Sequence, residues 1–345
     1  MTGRRGSVLV VVLFVLLVLS ATGLSLAYRV ALEMRSVQRR SILARLRHGA
    51  ESAVVVAVAR LAENQNEFDH PAEPWRRHVP LWQDGWLTGF GPRPDGSTEE
   101  FTVDYQVIDE ESKVNVLWAS SEALERLGMT PEQVAALLDW MDADDFVRTG
   151  GAEDGYYLAQ AAPHRCKNAP LELLDELLLI KGFDSAGWLG EDDNGDRRLD
   201  PSEDDGDLTE PSDNADGQLK LGWAGLLTCL GAGRINLNTA PEEVLATLPL
   251  SDGAVGQVTG FRQFDERSSG SLEDHAFRSA ADIDQLQGLT DADREVLRQV
   301  AAYRSEHFRI FAEARHVPTG LRYRLEVVVR QNGADVEVLQ WRSGA

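Results

Sequence analysis

A run of acidic and amide side chains between residues 192 and 203 has the composition and spacing of a calcium-binding loop. In a twelve-residue EF-hand-type loop, oxygen atoms at positions one, three, five, seven, nine and twelve surround one Ca²⁺. Counted from the first acid, these positions hold Asp192, Asn194, Asp196, Arg198 (through its backbone carbonyl), Asp200 and Glu203. Position six, where Gly normally permits a sharp turn, is Arg197. The pattern predicts a structural Ca²⁺ site, and the alternative is a solvated acidic loop. Additional ligands or a second ion could come from Asp204, Asp205, Asp207 and Asp213.

A second acidic group, at the end of a predicted helix near residue 140, could suggest acid–base catalysis. It consists of Asp139, Asp142, Asp144 and Asp145, and no His or nucleophile stands near it in sequence. We therefore interpret it as helix-end charge or metal ligation. The seven histidines show no H-x-x-x-H spacing, and no Ser lies in a G-x-S-x-G context. The sequence predicts a protein that is not an enzyme.

Charge and cysteine content narrow the class of protein further. A net charge of −22 argues against a nucleic-acid surface, which is normally basic. The chain has 345 residues, enough for about two domains, and its hydrophobic content of 43% is typical of a globular protein. Cys166 and Cys229 could form one disulfide outside the cytoplasm, and the alternative is two small buried thiols.

The first element of the predicted fold is a long N-terminal helix. No charged residue occurs from Ser7 to Tyr28, which meets the roughly 20 residues that a helix needs to cross a bilayer. The helical pattern then continues as an amphipathic stalk to about Ala62, whose second half suggests packing against a sheet. Two interpretations come from the segment itself, a cleavable secretory signal ending near Ser25-Leu26-Ala27 and a plain single-pass anchor, and a third comes from a family resemblance given below.

The remaining pattern predicts an α+β fold with a long helical insertion. A strand is predicted at 101–108 and three more at 307–315, 321–330 and 335–342, the last two joined by the hairpin signal Asn332-Gly333. Between them, capped helices are predicted to start near residues 130, 170, 239, 279 and 290. Residues 114–127 align without gaps with residues 235–248, which suggests an insertion made of two related halves.

Several motifs together resemble the K minor pseudopilins of type II secretion systems. Basic residues, Gly6 and an immediate apolar helix are similar to a type IV pilin-like leader, but Val11 stands where most pilins carry Glu at the fifth mature position. In that family the Glu pairs with the N-terminal amine of the neighbouring subunit in apolar surroundings, where an unpaired charge is costly. A subunit with Val at this position leaves such an amine without its partner, so the resemblance favours a tip subunit over a repeating one. The motifs within the body that carry the resemblance are Asp109-Glu-Glu-Ser-Lys-Val-Asn-Val, Leu138-Asp-Trp-Met-Asp-Ala-Asp-Asp, Lys167-Asn-Ala-Pro-Leu-Glu-Leu-Leu-Asp-Glu-Leu and Arg234-Ile-Asn-Leu-Asn-Thr-Ala-Pro.

This resemblance implies a pilin-like N-terminal membrane helix packed on a small antiparallel sheet, with a large α-helical domain inserted in the sheet. The expected divisions are a leader at 1–6, a transmembrane and stalk helix at 7–62, pilin-like parts at 63–112 and 305–345, and the inserted domain with its calcium loop at 113–304. It further implies cleavage by a prepilin peptidase between Gly6 and Ser7, methylation, and calcium as a structural cofactor.

The family also sets the expected partners and location. The resemblance implies a single-pass inner-membrane protein with a cytoplasmic N-terminus and a periplasmic body. A simple count of flanking arginines favours the opposite orientation, but long domains translocate largely regardless of such counts. The expected partners are the minor pseudopilins I and J, the prepilin peptidase and the inner-membrane assembly platform, with a place at the pseudopilus tip.

A nucleic-acid function is the alternative from another class. Residues 235–249 also resemble the opening of helix-hairpin-helix domains in membrane-anchored competence DNA receptors. Such domains hold phosphate through backbone amides of a Gly-rich hairpin. Here the hairpin would be Leu250-Ser-Asp-Gly-Ala, which contains Asp252 and no Lys. An acidic hairpin in an acidic domain would repel phosphate, so we expect no nucleic-acid partner.

Overall fold

A 59-residue helix, α1 (Arg5–Glu63), dominates the N-terminal end of the chain. The computed structural model describes residues 5–76, 101–192, 199, 201–209, 213–264 and 271–344. Within these ranges, α1 is the one helix long and apolar enough to cross a membrane. Its apolar side chains from Leu9 to Val37 are largely exposed. This half of the helix therefore has no partner within the described chain.

The second half of α1 packs on an antiparallel sheet. Leu46, Ala50, Ala53, Ala57 and Leu61 are fully buried. Their spacing of three or four residues places them on one face of the helix, and the alanines let the backbone approach the sheet closely. The prediction that this part of the stalk packs on a sheet is confirmed.

The strands and helices that follow have these bounds. The strands are β1 (Phe101–Asp109), β2 (Val114–Asn115), β3 (Leu227–Thr228), β4 (Ile235–Asn236), β5 (Ala301–Ala302), β6 (His307–His316), β7 (Leu321–Asn332) and β8 (Asp335–Gly344). The helices are α2 (Ser121–Arg126), α3 (Pro131–Met141), α4 (Asp154–Tyr157), α5 (Ser185–Leu189), α6 (Trp223–Leu226), α7 (Glu242–Leu245), α8 (Ala254–Phe261), α9 (Ala280–Gln285) and α10 (Asp291–Val300).

The sheet behind α1 has the strand order β1-β6-β7-β8, and every pair is antiparallel. Alternate side chains of β1 from Phe101 to Val107 are buried against the helix, as the period of two in a strand requires. Asp109 at the end of β1 pairs with Phe308 near the start of β6. The chain thus leaves the sheet at residue 110 and returns to it after residue 306. The α+β class predicted from the sequence is confirmed.

The residues between β1 and β6 form a second hydrophobic core of their own. Two parallel strand pairs organise it, β2 with β3 and β4 with β5. The two sequence segments that align with each other, 114–127 and 235–248, each begin with one of these strands and lead into a helix, α2 or α7. The sequence similarity therefore corresponds to a structural similarity between the two halves.

One predicted helix takes a different form. Residues 170–181 were expected to be α-helical, but the structure has a 3₁₀ helix at Leu174–Leu179. The buried side chains are Leu171, Leu174, Leu177 and Ile180, one every three residues. A 3₁₀ helix has three residues per turn, so this spacing keeps all four on one face, whereas an α-helix would rotate them apart.

The proline-rich segment after α1 folds back on the domain where it is described. Trp75 is buried and lies edge-on to Phe308, with ring centroids 5.2 Å apart. Trp82 and Trp86 lie outside the described residues. Trp75 is therefore a core residue and not part of an exposed aromatic surface.

Candidate functional site

Three consecutive acids, Asp109, Glu110 and Glu111, mark the point where the insertion leaves the sheet. All three are buried, and the first two have no exposed surface. They lie in a turn of 3₁₀ helix (Glu110–Ser112), in which the Asp109 carboxylate accepts a hydrogen bond from the Glu111 backbone N–H at 2.8 Å. We call these three residues the junction acids.

Glu110 connects the sheet to the first half of the insertion. One carboxylate oxygen accepts hydrogen bonds from Lys113 Nζ at 2.9 Å and from Arg309 Nε at 2.7 Å. The other accepts from the Thr228 hydroxyl of β3 at 2.6 Å. Burial alone would raise the pKa of Glu110, but the positive charges of Lys113 and Arg309 outweigh it and hold the pKa well below its usual range. Arg309 also pairs with Glu326 of β7.

Asp109 connects the sheet to the second half. Its carboxylate accepts hydrogen bonds from the hydroxyls of Thr239 and Ser305. Burial, together with the charge of Glu111, raises the pKa of Asp109 well above its usual value. A second carboxylate, Asp69, accepts from the Ser305 backbone N–H at 2.6 Å, and burial raises the pKa of Asp69 to about 7. Ser305 thus lies between two buried acids.

Glu111 binds the first residue of β6. Its two oxygens contact His307 Nδ1 at 2.9 Å and the His307 backbone N–H at 3.1 Å. The hydrogen bond that the His307 ring donates to the Glu111 carboxylate raises the pKa of His307. Each junction acid therefore has defined partners, and the arrangement holds two domains together instead of presenting a reactive group.

The junction acids were visible in the sequence only as part of a family motif. Their partners Thr228, Thr239 and Ser305 are separated from them by more than a hundred residues in the chain. A run of Asp-Glu-Glu after a strand is usually solvent-exposed, so no local signal predicted its burial.

The predicted calcium loop is described at its two ends. Asp192 and Glu203 are both buried, at 4% and 3% exposure. The predicted ligands Asn194, Asp196, Arg198 and Asp200 lie outside the described residues. Within the described ranges, no three His, Cys, Asp or Glu side chains come together as a metal site. Asp192 and Glu203 supply carboxylates of the kind that Ca²⁺ binds, and calcium at this loop stays a prediction.

A longer segment that contains the predicted calcium loop is closed at its base by backbone pairing. Gly190 forms an antiparallel bridge with Leu221. The Glu191 backbone N–H donates to the Lys220 carbonyl at 2.9 Å, and the Glu191 carboxylate accepts from the Lys220 N–H at the same distance. The segment between Glu191 and Lys220 therefore begins and ends at one fixed point on the insertion.

The acids after the loop act locally. The Asp213 carboxylate accepts from the backbone N–H groups of Asp205 and Gly206, both at 2.9 Å. Asp204 accepts from the Gly217 N–H at 2.9 Å. These contacts fold the segment back on itself. Whether Asp204, Asp205, Asp207 or Asp213 also ligates an ion stays a prediction.

The acidic group near residue 140 lies at the end of α3 and forms an ion pair there. Asp139 is fully buried and accepts from Arg148 Nη1 at 2.7 Å and from the Ala152 N–H at 2.9 Å. Asp142 also pairs with Arg148. The neighbouring Asp144 and Asp145 are exposed. These contacts fix the chain after α3 and correspond to the interpretation as helix-end charge.

The two cysteines are free thiols in the structure. Cys166 Sγ lies 3.6 Å from the Asp139 carbonyl oxygen, and Cys229 Sγ lies 3.6 Å from the Glu172 carbonyl oxygen. Burial raises the pKa of both thiols, to about 12 for Cys166. A disulfide between Cys166 and Cys229 stays a prediction.

In the segment that resembles a DNA-binding hairpin, the Ser251 backbone amide is hydrogen-bonded within the protein. The Ser251 backbone N–H and hydroxyl both donate to the Asp293 carboxylate, at 2.7 and 2.6 Å. These hydrogen bonds, with those from Thr290, hold the pKa of Asp293 below its usual range. The Ser251 amide is thus already bonded to a carboxylate of the protein itself, which argues against the nucleic-acid alternative.

The proposed processing site lies at the start of α1. The backbones of Gly6 and Ser7 are helical, and α1 begins at Arg5. Val11 is exposed on the apolar part of the helix. Nothing in the fold tests the cleavage itself, which stays a prediction.

Comparison with known proteins gives a specific result for the start of the insertion. Residues 108–189 match the family described as type II secretion system (T2SS), protein K. This range contains the junction acids, their partner Lys113 and the acidic end of α3. The chain is 42% identical over 67 residues to the type II secretion system protein K of Klebsiella pneumoniae, covering 18% of this chain and 21% of that protein. It is 43% identical over 56 residues to a putative type II secretion system protein K of Escherichia coli K12, covering 16% and 17%.

The fold is similar over a much longer range. A chain in the crystal structure of the GspK-GspI-GspJ complex from the enterotoxigenic Escherichia coli Type 2 Secretion System superposes with a TM-score of 0.57. The similarity covers 90% of this chain and 99% of that chain at 16% sequence identity, so it concerns the fold alone. The sequence matches to the curated relatives span only about a fifth of their length. The family match is thus confined to residues 108–189, and over that range the chain is similar to type II secretion system protein K.

Proposed function

We propose that this protein is a minor pseudopilin that assembles with the I and J minor pseudopilins at the tip of the type II secretion pseudopilus. The observation that carries the proposal is α1, whose apolar half is exposed and has no charge from Ser7 to Tyr28. Such a surface requires a membrane or other apolar helices around it. The protein K domain supports type II secretion as the setting.

The tip position follows from two features of the chain. Val11 provides no carboxylate to pair with a neighbouring subunit's amine inside a helical core, where an unpaired charge is costly. The second core between β1 and β6 adds a large body to one side of the sheet. A subunit of this kind suits the end of a fibre better than its shaft. The likeness to a chain in the GspK-GspI-GspJ complex supports I and J as partners.

Maturation and location belong to the same proposal. A prepilin peptidase cuts between Gly6 and Ser7, the new N-terminus is methylated, and the inner-membrane assembly platform receives the subunit. The N-terminus is cytoplasmic and the body is periplasmic. Ca²⁺ bound by the 192–203 loop has a structural role, because it neutralises carboxylates that otherwise repel each other.

Assembly is tested by co-expressing the full chain with full-length I and J and isolating complexes through a tag on J. We expect the three proteins to elute together at a fixed ratio. The proposal is wrong if I and J elute together without this chain when all three are present in the membrane. Electron microscopy with antibody against the insertion locates the subunit, and regular labelling along filament shafts would contradict a tip position.

Processing is tested by the mass of the chain after co-expression with a prepilin peptidase. We expect loss of residues 1–6. The substitution Gly6→Val should leave the full mass, whereas Gly3→Val in the same segment should not. Equal processing of both variants would refute a cut after Gly6.

A further inference from the structure

An open pocket of about 480 Å³ lies where the segment after α1 meets the second half of the insertion. Its wall is formed by His70, Asn238, Thr239, Glu242, Thr259 and Arg262. It is separate from the calcium loop and from the apolar half of α1. Arg262 follows the last residue of α8 and contributes the guanidinium group of the pocket.

Arg262 brings a positive charge into this wall with few contacts of its own. Its Nη1 donates to the Leu237 carbonyl at 2.7 Å. No carboxylate of the described residues lies within ion-pair distance of it. A guanidinium has five N–H donors in a planar fork that matches a carboxylate. Burial lowers the pKa of Arg262 to about 10, although the charge of Glu242 acts in the opposite direction, so the group stays charged at neutral pH.

His70, Asn238 and Thr239 of the wall already have partners. His70 Nδ1 accepts from the Ala72 backbone N–H at 3.1 Å, so Nε2 carries the proton and donates to the Arg262 carbonyl at 2.8 Å. Burial lowers the pKa of His70, which keeps its ring neutral. The Asn238 amide donates to the Phe277 carbonyl, and the Thr239 hydroxyl donates to Asp109. Arg262 is therefore the cationic group in this wall with donors to offer a ligand, and the exposed side-chain amide of Gln263 is a neutral donor beside it.

We propose that this pocket binds a single carboxylate group through a two-point contact with Arg262. The ligand must be an anion, because the guanidinium fork faces the pocket without a counter-ion from the described chain. A monoanion suits the pocket better than a phosphate dianion, because His70 is neutral and Glu242 is exposed at the rim. The carboxylate could belong to a protein side chain or to a small organic acid, and the inference does not depend on the pseudopilin assignment.

The test uses the full chain in detergent micelles and measures binding by saturation-transfer NMR, with empty micelles as background. The probes are propionate, the peptide Ac-Ala-Asp-Ala-NH₂, its neutral analogue Ac-Ala-Asn-Ala-NH₂, and inorganic phosphate. We expect propionate and the Asp peptide to bind and the Asn peptide to bind at least tenfold more weakly. Tighter binding of the peptide than of propionate assigns the site to a protein carboxylate, and the reverse assigns it to a small acid.

Two pairs of variants separate the pocket from the rest of the acidic surface. Arg262→Gln should abolish binding, and Arg262→Lys should weaken it because an ammonium makes no planar two-point contact. Glu242→Gln should tighten binding roughly threefold, the effect of removing one like charge about 6 Å away in water. Its neighbour Glu243, exposed on the same helix but outside the pocket, supplies the matched control Glu243→Gln, which should change nothing.

Circular dichroism will show whether the Arg262 variants fold. If they do not, the comparison of Glu242→Gln with Glu243→Gln still tests the proposal. Equal binding of the Asp and Asn peptides would overturn the proposal, and so would binding by Arg262→Gln equal to that of the unaltered chain. Tighter binding of phosphate than of propionate would also overturn it. If the Asp peptide binds only to the double variant Asp265→Asn/Glu266→Gln, the chain's own acids occupy the pocket and the proposal is wrong.

Discussion

Replacing Glu110 by Gln tests whether the junction acids hold the insertion to the sheet. Gln keeps the size of the side chain and removes its charge. In the structure the carboxylate accepts from Lys113, Arg309 and Thr228, all within 2.9 Å. The Lys113 side chain is only 3% exposed, so its ammonium loses the carboxylate that faces it in a place with little water.

The size of the effect follows from these contacts. Removing one partner of a buried ion pair costs about 3–5 kcal/mol, because the opposite charge is left inside the protein. Arg309 keeps Glu326, and the Gln carbonyl can still accept from one donor. We therefore expect a loss of about 3 kcal/mol in the free energy of unfolding of the insertion and sheet. This is a large part of the roughly 5–15 kcal/mol that stabilises a folded domain.

The assay is urea denaturation of the full chain in micelles, followed by tryptophan fluorescence at pH 7. The exposed Glu125 of α2 supplies the control, since Glu125→Gln should change the free energy by less than about 0.5 kcal/mol. The double variant Glu110→Gln/Lys113→Met should lose less than the single variant, because it also removes the buried ammonium. A loss below about 1 kcal/mol for Glu110→Gln would refute the reasoning.

The pH dependence gives the same test a second measurement. The pKa of Glu110 is lower in the folded chain than in the unfolded chain. The folded state therefore gains stability from the ionised carboxylate above the unfolded pKa, near 4.3, and loses it as the pH falls further. The difference between the unaltered chain and Glu110→Gln should be full at pH 7 and should shrink below about pH 4.

Three further predictions concern Asp69, Gly190 and the calcium loop. Because burial raises the pKa of Asp69 to about 7, the folded chain binds more protons than the unfolded chain between about pH 4 and 7, and stability falls as the pH rises through that window. Urea midpoints of Asp69→Asn should therefore vary less over that window than those of the unaltered chain, and an unchanged slope would contradict this. Gly190→Ala should cost more than about 2 kcal/mol in urea, because φ is +65° and the added Cβ would lie 2.4 Å from the Gly222 nitrogen. Gly217→Ala, with φ +75° and open space around it, should cost only about 1 kcal/mol, and equal losses would exclude a backbone clash as the cause. Ca²⁺ at about a hundred times its dissociation constant should raise the free energy of unfolding by about 2.7 kcal/mol, and Asp192→Asn should reduce that gain; the prediction fails if EGTA leaves the urea midpoint unchanged.

Features set by local periodicity were predictable from the sequence. The apolar run and the spacing of Leu46, Ala50 and Ala57 identify α1 and its buried face. The Asn332-Gly333 turn fixes the β7–β8 hairpin, which the structure places at Leu321–Asn332 and Asp335–Gly344. The gap between the first strand and the other three was also visible, since strand patterns depend only on alternation.

Features that depend on distant contacts were not predictable. Nothing near Asp109 in sequence indicates that it would be buried beside Thr239 and Ser305, because burial of a carboxylate depends on donors brought by the fold. The helix expected at 170–181 became 3₁₀ because Leu171 and Leu174 begin a spacing of three that faces the core. The pocket at Arg262 likewise joins segments about 190 residues apart.

Each half of the insertion begins with an Asn side chain that makes hydrogen bonds of the same kind. The junction acids bind each half separately. The Asn115 side chain accepts from the Leu117 N–H and donates to the Leu230 carbonyl. Asn236 likewise accepts from the Asn238 N–H and donates to the Ser305 hydroxyl.

Each half is then closed by a parallel pair, β2 with β3 or β4 with β5, so its last strand returns beside its first. This return brings Thr228 of the first half to Glu110, and Ser305 just after the second half to Asp109. Glu111 binds His307, which belongs to β6 of the sheet itself. A hinge motion at residues 110–113 would break contacts to both halves and to β6 at once. We therefore expect a hinge motion at this junction to be energetically costly, because it would break the hydrogen bonds of all three junction acids.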